Sequence, residues 1–236
     1  KRDRQTYIMG LELYAKIEEY LDFESEVEYL HNTFVDIVEE IKPKSLLDIG
    51  CGQGGFIAKL DDSIDAFGID LSQNQINIAL SKGINASCIS LNQVTQTFDM
   101  QTAVFDVINY IQKGEIKEFF KNCYDKLNPE GYLVFDANTL FGFEDVAQGS
   151  LVIDKGDIFV SIDAYFEDNM LKTNITAFTK KGDLYEKESD TITQYYHTKD
   201  FLKKELKAVG FDIEQIIDFK LHGYDKADKS IFICKK

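Results

Sequence analysis

The hydrophobic period of this chain changes once, near Asn138, and that change bounds what it can fold into. Upstream, short apolar runs alternate with stretches of helical spacing. "SLLDI" at 45–49, "AFGID" at 66–70, "ASCIS" at 86–90, "DMQTAV" at 99–104 and "YLVFDAN" at 132–138 read as five buried strands. Helices are expected from about Gln53, from about Ser72 and over 114–127, with a turn at "NPEG" before the fifth strand. Strands alternating with helices imply parallel pairing and an α/β sheet covered on both faces. Ahead of the first strand, Leu11, Tyr14 and Ile17, then Val27, Leu30, Phe34, Ile37, Val38 and Ile41, recur at three- and four-residue intervals, so two helices open the chain and Pro43 ends the second.

Downstream the period becomes two. Four runs between 150 and 196, separated by Lys-Gly, Asp-Asn and Gly-Asp turns, predict an antiparallel meander. A helix capped by Thr198 and stopped by Gly210 follows, then strands "FDIEQIIDF" and "SIFICKK". With no repeat or linker in 236 residues, the expectation is a single domain over 1–236. Within it, 8–42 form a helical cap, 43–140 an α/β core, 150–196 an inserted β module, and 197–236 the last helix and final strand pair.

Charge narrows the partners. With 41 acidic against 26 basic residues the net charge is −15, which repels the phosphate backbone on which nucleic-acid affinity depends. No stretch has the length of a membrane span or the pattern of a signal peptide, and Cys51, Cys88, Cys123 and Cys234 form no CxxC pair. The expectation is a cytoplasmic chain with a small-molecule partner, no nucleic acid, no membrane and no metal.

The first strand runs into "GCGQGGF", four glycines within six positions. Gly50, Gly52 and Gly55 satisfy GxGxxG with Asp70 about twenty residues on, a pattern that admits a dinucleotide. The same stretch also reads as DxGxGxG through Asp48, Gly50, Gly52 and Gly54. Charge separates the two. A pyrophosphate wants a helix N-terminus and no carboxylate beside it, whereas a sulfonium nucleoside is helped by one. Asp48 therefore favours the sulfonium ligand, and Asp70 is placed to accept from ribose hydroxyls.

In this motif the chain resembles the class I S-adenosylmethionine-dependent methyltransferases. The resemblance continues through "FDVINYIQKGEIKEFFKNCYDKLNPEGYLVFDANT" from Phe105, and the opening "LYAKIEEYLDFESEVEYL" is similar to the nucleotide-sugar amine N-methyltransferases and their relatives. It implies a Rossmann-like seven-stranded sheet with an antiparallel β insertion over the acceptor pocket, S-adenosylmethionine as cofactor with S-adenosylhomocysteine as product, and room for a homodimer. It implies cofactor contacts at Tyr14 and Phe23, which close over the ligand, and at Asp48, Gly50, Cys51, Gly52, Gly54, Phe56, Asp70, Leu71 and Phe105. The family often has an Asp after the third strand for the adenine; here "CISLNQ" leaves Ser90, Leu91 or Asn92.

Methyl transfer needs alignment more than a nucleophilic side chain, though a base helps when the acceptor is a protonated amine. Tyr110, in the turn after the fourth strand, and His197, where the meander meets the last helix, are the candidate catalytic residues. Asp106, Asn109 and Asn138 are the candidate acceptor contacts, with Asp136 on the same rim. His31 reads as structural and His222 as a surface turn residue. The expected reaction is transfer to a small molecule, nitrogen ahead of oxygen. An NAD-dependent oxidoreductase using the same bend, and a cofactor-binding protein without catalysis, stand as alternatives.

Overall fold

A computed structural model describes residues 11–236; the first residues of the predicted cap, 8–10, lie outside it. Residues 11–17 are helical (α1), and α2 spans Glu24–Ile41. Leu30, Phe34, Ile37 and Val38 form its buried stripe. It ends because Lys42 turns left-handed (φ 56°), donating its N–H to the Val38 carbonyl, just ahead of Pro43.

Among the described residues the remaining strands and helices follow as β1 (Ser45–Ile49), β2 (Asp65–Asp70), α3 (Gln73–Ser81), β3 (Ala86–Cys88), β4 (Phe98–Ala103), α4 (Ile116–Asp125) and β5 (Leu127–Asn138). Then come β6 (Gly149–Asp154), β7 (Ile158–Glu167), β8 (Met170–Lys181), β9 (Leu184–Tyr195), α5 (Lys199–Val209), β10 (Asp212–Phe219) and β11 (Lys229–Lys235). They build a seven-stranded sheet in the order β10-β11-β5-β4-β1-β2-β3 and a four-stranded sheet β6-β7-β8-β9. β1 to β5 pair in parallel, while β11 runs antiparallel between β5 and β10.

Period-two alternation sorts the apolar runs onto two faces. Leu46, Met100, Val134 and Ile231 pack under α2, whereas Leu47, Phe135 and Phe232 pack under α4 and α5. Phe135 and Phe232 stack at 4.8 Å, a contact worth about 0.5–1.5 kcal/mol beyond the area it buries. The second sheet is the predicted meander; its Asp168–Asn169 turn has φ of 52° and 61°, as a tight hairpin demands. Its inner face, Val160, Ile175, Ala177 and Ile192, packs on Leu13 and Ile17 of α1. Thus α1 packs on the second sheet. No described helix is long and apolar enough to cross a membrane.

Two expectations are corrected. "NPEG" is part of β5, carrying a register shift against β4 and a left-handed Glu130 (φ 65°) where the turn was expected. The helix expected from Gln53 is a single short 3-10 turn, Ile57–Lys59. Gly54 and Gly55 weaken its start, and β2 already begins at Asp65.

Candidate functional site

The glycines after β1 form a bend with Gly50, Gly52 and Gly54 at φ of 73°, 52° and 76°. Left-handed glycines at alternate positions match the DxGxGxG reading; Gly55 is not among them. The N–H groups of Gly50 and Cys51 donate to the Ile69 carbonyl at 2.7 and 3.0 Å, which ties the bend to β2. A Cβ at Gly50 would lie 2.7 Å from Val107, and one at Gly54 2.7 Å from Ile84, so both positions are filled by protein. At Gly52 a Cβ would meet nothing within 4 Å. Backbone at Gly52 therefore faces open space, where a ligand can lie against it. A pyrophosphate would find no N-terminus of a full helix here, because the 3-10 turn is only three residues long.

Two carboxylates flank the bend. Asp70 ends β2, its Oδ2 accepting from the Gly52 N–H at 3.0 Å and its Oδ1 from the Ser72 N–H at 2.8 Å. Ser72, not Asp70, caps α3, accepting from the Gln75 N–H at 3.2 Å. Burial raises the Asp70 carboxyl above its ordinary range, against the pull of those backbone donors. Asp48 lies beneath, 2% exposed, accepting from the Thr102 hydroxyl at 2.8 Å. Burial pushes it up to about 7, with the Asp70 charge adding to the effect and Thr102 opposing it.

α1 leans over this rim. Glu12 accepts from the backbone N–H groups of Gln73 and Asn74 at 2.6 and 3.2 Å, at the start of α3. Glu18, just past α1, accepts from Gln53 Nε2 at 3.0 Å and Gln75 Nε2 at 2.8 Å, and Lys16 pairs with Glu188 of β9. Tyr14 is partly buried against the insertion, its hydroxyl held above the ordinary range by burial and by the charges of Glu18 and Asp106. Phe23 stands exposed before α2, and Leu71 is exposed beside Asp70. Glu12 and Glu18 carry no motif, so sequence reading passes them over.

Several predicted contacts turn inward instead. Phe56 packs on Phe34 in the α2 core, and Leu91 joins the α4 core. The Cys51 thiol presses on Gly68, where a Cβ would come within 2.6 Å of it. Only the backbone of these residues can face a ligand. Ser90 is tied to Asn92 and Gln93 as the cap of a short turn. His31 lies between the Phe56 and Phe105 rings, 5.9 and 5.5 Å away, and burial, then Lys59, drive it down to about 4.

Across β1, the loop after β4 carries Phe105 and Asp106, both left-handed at φ of 63° and 50°. Asp106, an expected acceptor contact, is bonded within the protein: Oδ1 accepts from Lys229 Nζ at 2.5 Å and Oδ2 from Gln194 Nε2 at 2.6 Å. Lys229, 3% exposed, also donates to Asp136 Oδ2 at 2.8 Å and Asn138 Oδ1 at 2.9 Å. Burial alone would lower its pKa, but the two carboxylates raise it and keep it charged. Asn109 and Asn138 are likewise engaged with the protein. Asn109 Nδ2 donates to the Tyr195 carbonyl, and its Oδ1 accepts from the Asn138 N–H, both at 2.9 Å. Tyr110 packs beside the cluster formed by α1 and the insertion. His197 is buried on the α5 side, Nε2 at 2.9 Å from the Ile111 carbonyl, bordering a cavity of about 270 Å³ with Asn138 and Ser230. It braces the turn that holds Tyr110. His222 pairs with Asp228 in the β10–β11 turn.

Residues 46–131 match the methyltransferase domain family. The Geobacillus sp. (strain WCH70) protein named "Putative methyltransferase GWCH70_2453" is 24% identical over 209 residues, covering 82% of this chain and 84% of that one. An S-adenosylmethionine-dependent methyltransferase from Clostridium acetobutylicum superposes with a TM-score of 0.74 at 20% identity, over 94% of this chain and 96% of its own. The sugar N-methyltransferase KedS8 of Streptoalloteichus sp. superposes with a TM-score of 0.72 at 19% identity, over 94% and 92%. Fold, bend and the match over 46–131 agree: this chain carries a methyltransferase domain and has the fold of S-adenosylmethionine-dependent methyltransferases over nearly its whole length.

Proposed function

We propose that this enzyme moves a methyl group to a small-molecule acceptor, with an amine nitrogen ahead of a hydroxyl oxygen. One observation carries the cofactor half of the reading: of the bend's three left-handed glycines, only Gly52 opens onto space, and Asp70 lies directly beside it. Asp70 would accept from the ribose hydroxyls, and the adenine end would lie along Leu71 and the Leu91–Gln93 turn. Asp48, under the bend, supplies the negative charge that suits a sulfonium. Bound there, S-adenosylmethionine supplies an activated methyl carbon for in-line displacement.

The chain's own contribution is alignment. Tyr14 and Phe105 would flank the cofactor's sulfur end, and Tyr110 would orient the acceptor under the roof formed by 150–196. His197 is the candidate base through Nδ1, which is buried without a hydrogen-bond partner among the described residues while Nε2 meets the Ile111 carbonyl. The acidic surface supports a small acceptor over nucleic acid, and the likeness to a sugar N-methyltransferase supports an amine. Four free thiols fit a cytoplasmic setting.

Calorimetry with S-adenosylhomocysteine tests the site. Micromolar binding is expected, weakened by roughly 2–4 kcal/mol in Asp70→Ala, which loses hydrogen bonds to a charged acceptor. Gly52→Val should also abolish it. Equal affinity in the parent and both variants would place the cofactor elsewhere.

A further inference from the structure

Outside a tight hairpin, two consecutive non-glycine residues in the left-handed region do not hold themselves there; the surroundings must over-determine them. At Phe105–Asp106 the surroundings are side chains from distant segments. The Asp106 N–H donates to Asp136 Oδ2 at 3.0 Å, Gln194 of β9 donates to Asp106 Oδ2, and Lys229 of β11 donates to Asp106, Asp136 and Asn138. An ammonium has three N–H donors, and here three acceptors take them, so Lys229 is fully satisfied. Without it, Asp106 and Asp136 would face each other across one buried hydrogen bond with no compensating charge.

We propose that Lys229 is the positioning residue of the transfer site. By bridging Asp106 and Asp136 it fixes the bend that presses Val107 onto Gly50 and ties the insertion, through Gln194, to the same carboxylate. The inference rests on the cofactor reading above. The sheet order β4-β1-β2-β3 gives it direction. With ribose at Asp70 on β2 and adenine toward β3, the amino-acid arm of the cofactor runs across β1 toward the β4 bend. Lys229 therefore sets the seat of that arm and leaves the seat of the nucleoside untouched.

Two ligands separate these seats. S-adenosylhomocysteine carries the amino-acid arm, and 5′-deoxy-5′-methylthioadenosine lacks it. Lys229→Met with Asp136→Asn removes the ammonium without stranding a second buried charge. In this double variant the affinity for S-adenosylhomocysteine should fall about tenfold, while that for methylthioadenosine changes less than twofold. A parallel loss for both ligands, or no loss for either, overturns the inference by making Lys229 merely structural or dispensable. If the double variant does not fold, Asp106→Asn, which removes one charge and turns one of the two acceptors facing Lys229 and Gln194 into a donor, provides the same comparison with the same expected split. A parent protein that binds neither ligand would refute the cofactor reading itself, an outcome distinct from loss of the split.

Discussion

The two sides of the site hold unusual backbone in opposite ways. At the bend, left-handed conformations fall on Gly50, Gly52 and Gly54, where they cost little, and the surface proposed for the cofactor is the main chain itself. At the loop after β4, they fall on Phe105 and Asp106, at a cost of order 1–3 kcal/mol each, and are held by Asp136, Asn138, Gln194 and Lys229. The first solution is contiguous in sequence and needs no partner. The second is assembled from separate strands and depends on all of them, so it can tie the insertion to the cofactor side, which glycines alone cannot do.

The largest way to break this contrast is Lys229→Met alone. It leaves buried Asp136 and half-buried Asp106 without their cation and should cost about 3–5 kcal/mol in urea unfolding. The same change at half-buried Lys235, paired with exposed Glu130 at 2.7 Å, should cost under about 1 kcal/mol. Similar losses at both lysines would mean the loop after β4 is not held by charge.

A smaller contrast lies within the bend. Gly54→Ala must displace Ile84, whose atoms lie 2.7, 2.9 and 3.1 Å from the new Cβ, and should destabilise by roughly 2 kcal/mol. Gly52→Ala meets no neighbour and should cost only about 1 kcal/mol of backbone strain, while weakening S-adenosylhomocysteine more than its stability change suggests. Thermal unfolding and calorimetry on the two variants give both quantities; a larger stability loss at Gly52 would reverse the assignment of which glycine faces the ligand.

The smallest effect sharpens the electrostatic side. Burial sets the Asp48 pKa at about 7 in the ligand-free fold, above its unfolded value, so the fold favours the protonated form and loses stability as pH rises through about 7. A cation across the bend favours the ionised form. S-adenosylmethionine should therefore bind tighter at pH 8 than at pH 6, by about tenfold or less, with protons released on binding near pH 7. Neutral S-adenosylhomocysteine should show a flatter profile. Matching profiles for the two ligands in calorimetry would remove Asp48 from the cofactor's field.

Sequence by itself determined whatever depends on neighbours along the chain. Strand β1 appears over the residues its apolar run marks, Thr198 caps α5 by accepting from the Phe201 N–H, and Gly210 stops that helix at φ 119°. The alternate glycines and Asp70, which close one loop between adjacent parallel strands, were legible for the same reason. Tertiary structure decided the rest. It shortened the helix after the bend to one turn, and it turned Phe56, Leu91 and the Cys51 thiol into the core. It also spent Asp106, Asn109 and Asn138 on one another's surroundings and brought Lys229 to them from more than ninety residues away. Spacing in a sequence encodes which face of a strand or helix a residue occupies. Which buried charge meets which is set only when separate strands are laid side by side, because a desolvated ion takes whatever partner the assembled fold supplies.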